Sequence, residues 1–104
     1  MPSNRTVLTD GTGAWFDMGK ATVYREDTRW DGSNHISCAT GSQWDHEVLY
    51  RTAGGKWILN SYSQWQGSRE TFAEIDNEGA AIWLLRNGHD SETLSAEIAS
   101  LEIA

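Results

Sequence analysis

The side chains best suited to covalent or metal chemistry in this 104-residue chain are one cysteine, Cys38, and three histidines, His35, His46 and His89. "HISC" at 35 to 38 has an H-x2-C spacing, and Asp45, His46 or His89 could complete a ligand set. A structural zinc site draws on close pairs of Cys or His. On a strand, however, residues three apart point to opposite faces, and no second close pair is present. Packing of Cys38 and surface placement of the histidines is the simpler account.

A Cys38 nucleophile would need an adjacent base, and no spacing places His35, His46 or Asp45 beside it. The acid pairs Glu26 with Asp27 and Asp45 with Glu47 have no recognisable apolar pocket to raise one pKa. "HD" at 89 to 90 is half of a metal-hydrolase signature, and it stands alone after a helix end, where His also suits the helix dipole. "DGTG" at 10 to 13 lacks the lysine and following helix of a phosphate-binding loop. The expectation is a non-enzymatic protein without catalytic residues, metal or cofactor.

Six tryptophans offer a different chemistry. Exposed indoles stack on sugar rings or unpaired bases, and they anchor protein interfaces. "SQW" occurs at 42 to 44 and again at 63 to 65, and "RWDGS" and "QWQGS" both place Trp two residues before Gly-Ser. Trp57 and Trp83 are expected in the core and Trp15 mostly so. Trp30, Trp44 and Trp65, with Tyr62, are the aromatic surface candidates, and Gln43, Gln64, Asn60 and Arg69 could supply hydrogen bonds there. The competing account is a cross-strand Trp44–Trp65 pair that steadies a hairpin mouth.

Net charge is -7, and it is unevenly distributed. Residues 1 to 69 balance seven acids against seven bases, whereas from Glu70 onward eight carboxylates face Arg86 alone. Phosphate contacts need clustered Lys and Arg, so direct duplex DNA binding is not expected. The acidic third would suit another protein with a basic surface, with Glu78, Glu92, Glu97 and Glu102 as contact residues. The simpler account is a solvated helical face kept acidic for solubility.

The lone cysteine excludes an internal disulfide and fits a reducing compartment. There is no apolar run of membrane-spanning length and no leader-like N-terminus, so a cytoplasmic protein without membrane contact is expected.

The elements that must position these residues begin with a short hairpin, "RTVLT" and "AWFDM" around "DGTG". "KATVYRED" at 20 to 27 carries both helix and strand signals and leans to strand. "RWDGSN" is turn chemistry before a strand "HISCAT", with Ile36, Cys38 and Thr40 on one side. A longer hairpin, "SQWDHEVLYRTAGGKWILNSYSQW", turns at Gly54 and Gly55. A two-residue turn would pair Trp44 with Trp65 and Glu47 with Tyr62, whereas an "AGG" loop would pair Leu49 with Leu59. From Glu70 the composition turns helical. One helix is capped by Asp76 and closed by Gly88, and a second runs through "SETLSAEIASLEI" from a Ser91 cap. The expected fold is a single α+β domain over 1–104. Its β-rich part (1–69) would form a mostly antiparallel sheet of four or five strands, covered by one or two C-terminal helices from the acidic part (70–104). A monomer or a homodimer would both suit this architecture.

The leading functional expectation is an acidic inhibitor or modulator of a basic, nucleic-acid-handling protein. By size and charge it is analogous to the anti-defence, anti-CRISPR-like proteins of phages and mobile elements. The alternatives are a Trp-based module for carbohydrate or single-stranded nucleic acid, and an interaction domain whose acidic face serves only solubility.

Overall fold

The computed structural model describes residues 5–65, 67–89 and 94–103. It is a mixed α+β chain dominated by antiparallel strands. Strands β1 (Arg5–Val7) and β2 (Trp15–Asp17) form the expected opening hairpin, followed by a single 3-10 turn, Met18–Lys20. The ambiguous stretch resolves as strand β3 (Thr22–Arg25). Strands β4 (Thr28–Trp30) and β5 (His35–Ser37) make a second small hairpin. Its turn is held by Asp31, whose carboxylate accepts from the backbone N–H groups of Ser33 and Asn34 at 2.8 and 2.7 Å. These bonds, that of Asn34 first, lower the Asp31 pKa.

The main sheet has the order β3, β6 (Asp45–Arg51), β7 (Trp57–Ser63) and β8 (Thr71–Ile75). The last strand corrects an expectation, because residues 71 to 75 extend the sheet where helical composition was read. "TFAEI" carries Thr and Phe and alternates, and docking beside β7 decides the matter. "HISCAT" is also a shorter strand than expected. It ends at Ser37, and Cys38 to Thr40 form a turn.

The register of the long hairpin is that of the three-residue loop. Leu49 pairs with Leu59 and Arg51 with Trp57, so Glu47 faces Ser61 and His46 faces Tyr62. Gly55 alone of the two glycines has positive φ, at 85°, and its N–H donates to the Thr52 carbonyl at 2.9 Å. A turn over Thr52 to Gly55 with a left-handed residue at its end sets this register.

Helix α1 (Asn77–Arg86) starts and stops where its sequence signals stand. The Asp76 carboxylate accepts from the Gly79 N–H at 2.8 Å. At the other end the N–H groups of Gly88 and His89 donate to the carbonyls of Leu85 and Leu84, a Schellman closure for which Gly88 supplies φ +73°. Helix α2 (Ser95–Ser100) is short and follows Leu94; the Ser91 cap lies outside the described residues. Among the described residues no helix is long and apolar enough to cross a membrane.

Alternation along β6 and β7 divides the core between the two faces of the sheet. Leu49 and Trp57 pack with Ala80, Ala81, Trp83 and Leu84 of α1 and with Leu94. Ile58 packs instead with Leu8 and Phe16 of the opening hairpin. Helical cover is therefore partial, since α1 joins the core of one face and the first hairpin that of the other.

Trp57 and Trp83 are core residues as expected, at 2% and 5% exposure. Trp15 is not, at 53%. A three-residue strand turns its central residue, Phe16, inward, so Trp15 points out with its partner Val7 and lies against the Arg5 guanidinium, 4.7 Å from the ring centroid.

Candidate functional site

The open end of the β6–β7 hairpin gathers the aromatic candidates. The three-residue loop places Gln64, not Trp65, opposite Trp44, and the Gln64 N–H donates to the Trp44 carbonyl at 3.0 Å. The two indoles nevertheless meet on the diagonal, with ring centroids 5.1 Å apart and planes 48° from parallel. Trp44 and Trp65 are 41% and 61% exposed. Two pairs further along the hairpin, His46 and Tyr62 form a cross-strand ring pair at 5.4 Å. Tyr62 is also exposed. The result is a strip of four rings with Gln64 in solvent beside it and Gln43 half-buried.

Glu26 holds the inner end of this strip. Its Oε1 accepts from His46 Nδ1 at 2.5 Å, and its Oε2 accepts from the Ser37 hydroxyl, so both carboxylate oxygens are used. This arrangement fixes the imidazole ring and its tautomer. His46 Nε2 is enclosed without a hydrogen-bond partner among the described residues. Sequence reasoning considered Glu26 only beside Asp27 and missed its partners Ser37 and His46, which lie 11 and 20 residues away on other strands.

The same strand ends border an open polar cavity of about 300 Å³, lined by Asp45, His46, Glu47, Ser61, Tyr62 and Arg69 among others. Glu47 is half-buried there. Trp83 donates its indole N–H to Glu47 Oε1 at 3.0 Å, and the Ser61 hydroxyl lies 3.5 Å from Oε2. Desolvation raises the Glu47 pKa, the Trp83 hydrogen bond opposes the rise, and the nearby Glu26 charge adds to it.

A carboxyl whose folded pKa lies above its unfolded value favours the protonated form in the fold. Stability therefore declines as pH rises from the unfolded value through the folded one. Glu47→Gln keeps an oxygen for the Trp83 N–H and removes the charge. It is expected to raise Tm at pH 7, with the gain disappearing as the pH falls below the ordinary carboxylate range. Thermal melts of both proteins between pH 3 and pH 8 test this, and a lower Tm for Glu47→Gln at pH 7 would reverse the assignment.

The other candidates are dispersed. Trp30 is exposed on the small β4–β5 hairpin against His35, at 5.0 Å. His89 donates from Nε2 to the Arg25 carbonyl at 2.6 Å and stacks on Trp83. Cys38 is half-buried in its turn, its N–H donating to the Asp27 carbonyl. Among the described residues no three His, Cys, Asp or Glu side chains are grouped to hold a metal ion. Of the acidic candidates, Glu78 and Glu102 are exposed and Glu97 is half-buried, while Glu92 lies outside the described residues. No contact joins the described three into one cluster. In comparisons with known proteins, no family model, no curated protein and no solved structure matches the chain.

Proposed function

We propose that this chain is a small non-enzymatic binding protein that docks a basic protein partner through the aromatic strip at the open end of β6–β7. The supporting observation is the exposed Trp44–Trp65 pair, with the exposed Tyr62 nearby at the same end of the hairpin. Trp and Tyr dominate binding hot spots because they bury large area with few rotors to immobilise. The excess of carboxylates over bases then selects a cationic partner by long-range attraction. In this reading the acidic residues Glu78, Glu97 and Glu102 steer, and the rings anchor. An inhibitor of a basic nucleic-acid-handling protein is one form it could take, and the lone Cys38 suits a reducing compartment such as the cytoplasm.

The test starts from capture of partners at low salt and continues with the purified partner. Trp44→Ala/Trp65→Ala is expected to weaken binding by at least about thirtyfold, on the order of 2 kcal/mol. Changing Glu78, Glu97 and Glu102 to Gln should instead flatten the salt dependence. If the Trp variant binds normally and the Gln variant does not, the contact lies on the acidic helices and the strip is structural.

A second reading, a carbohydrate module, draws on the same ring pair with Gln64 and Gln43 beside it. It predicts glycan-induced quenching of Trp fluorescence that the double Trp variant loses. A single-stranded nucleic acid fits less well, because the net negative charge repels its backbone.

A further inference from the structure

A second cavity, of about 360 Å³, lies away from the aromatic strip, between the opening hairpin and the turn of β6–β7. That volume is within the roughly 300–1,000 Å³ of small-molecule sites. Phe16 and Ile58, both core residues, line it together with Leu8, and the exposed Trp15 forms a wall held from behind by Arg5. Two turns bring Lys20 and Lys56 to its rim. Asp17 caps the 3-10 turn that ends at Lys20, its carboxylate accepting from the Gly19 N–H at 2.9 Å. The Thr52 hydroxyl accepts from the Lys56 N–H at 3.0 Å.

Both ammonium groups stand in solvent without an ion-pair partner among the described residues. Two carboxylates also border the cavity: Asp17, engaged by its own turn, and the exposed Glu74. We infer that this cavity is a binding site for an amphipathic organic anion, a medium-chain acyl or aryl carboxylate. The apolar tail lies along Trp15 above the buried floor of Phe16 and Ile58, and the carboxylate meets Lys20 and Lys56. Burial of the tail supplies affinity without direction, and the lysines choose the sign of the head group. The inference is independent of the aromatic strip.

The test uses the full chain and decanoate, below its micelle concentration, followed by amide chemical shifts. Saturable shifts centred on Phe16, Ile58 and Lys56 are expected. Decylamine, with the same tail and opposite charge, should bind more weakly. Lys20→Glu/Lys56→Glu should weaken decanoate about tenfold, the scale of two exposed ion pairs, and reverse the preference. Equal or tighter binding of decylamine to the unaltered protein overturns the inference, as do shifts that fail to saturate or that centre on Trp44 and Tyr62.

Discussion

Replacing Trp57 by alanine is expected to destabilise the fold by about 3–5 kcal/mol. The side chain is almost wholly enclosed and belongs to the larger core, which the sheet residue Leu49 and the α1 residues Ala80, Ala81 and Leu84 share. It also packs on Tyr24 at 5.7 Å, with the Arg51 guanidinium over its ring. Alanine would leave a cavity between a sheet and a helix whose other contacts prevent them from closing on it. A domain of this size is stable by only about 5–15 kcal/mol, so the variant sits near the edge of folding. Urea denaturation followed by far-UV circular dichroism measures the effect. The comparison is Trp15→Ala, which removes an indole already half in water and should cost under about 1 kcal/mol. Equal shifts for the two variants would show that the burial assignment of Trp57 is wrong.

Asn87→Ala is expected to cost about 1–2 kcal/mol, mostly through the Asp27 N–H it abandons. This side chain is 4% exposed at the end of α1. Its Nδ2 donates to the Trp83 carbonyl at 2.8 Å, and its Oδ1 accepts from the Asp27 N–H at 3.0 Å. One amide thus ties the last turn of the helix to the link between β3 and β4, the segment that carries Glu26 towards His46. Alanine leaves the part-buried Asp27 N–H without its bond and takes one of two donors from the Trp83 carbonyl, which keeps the backbone N–H of residue 87 at 3.1 Å. Asn87→Asp keeps the acceptor for Asp27 but sets an oxygen against the Trp83 carbonyl, so it should also destabilise. Hydrogen exchange at the Asp27 amide should accelerate in both variants. A stability within about 0.5 kcal/mol of the unaltered protein would mean that water replaces the amide at no penalty.

Much of the local structure was legible because its causes are local. Asp76 and Gly88 bound α1 through bonds to residues no more than five positions away. The Asp31 turn and the two-glycine turn are equally short-range. Where sequence signals left alternatives, tertiary contacts chose. The register of β6–β7 follows from which glycine takes positive φ, and a shift of one residue exchanges the Trp44–Trp65 cross-strand pair for a diagonal contact. Thr71–Ile75 became a strand because β7 offered an unpaired edge.

What the sequence determined by itself was the class of the chain: α+β, with a neutral first part and a strongly acidic remainder, and with an unusual number of tryptophans. Those properties depend on composition and on contacts a few residues apart. Only the tertiary structure decided which tryptophans are core and which are surface, since burial depends on what lies across the sheet. It also brought Glu26 to His46, Trp83 to Glu47 and Lys20 to the cavity of Lys56, pairings that span 20 to 36 residues and have no trace in local pattern.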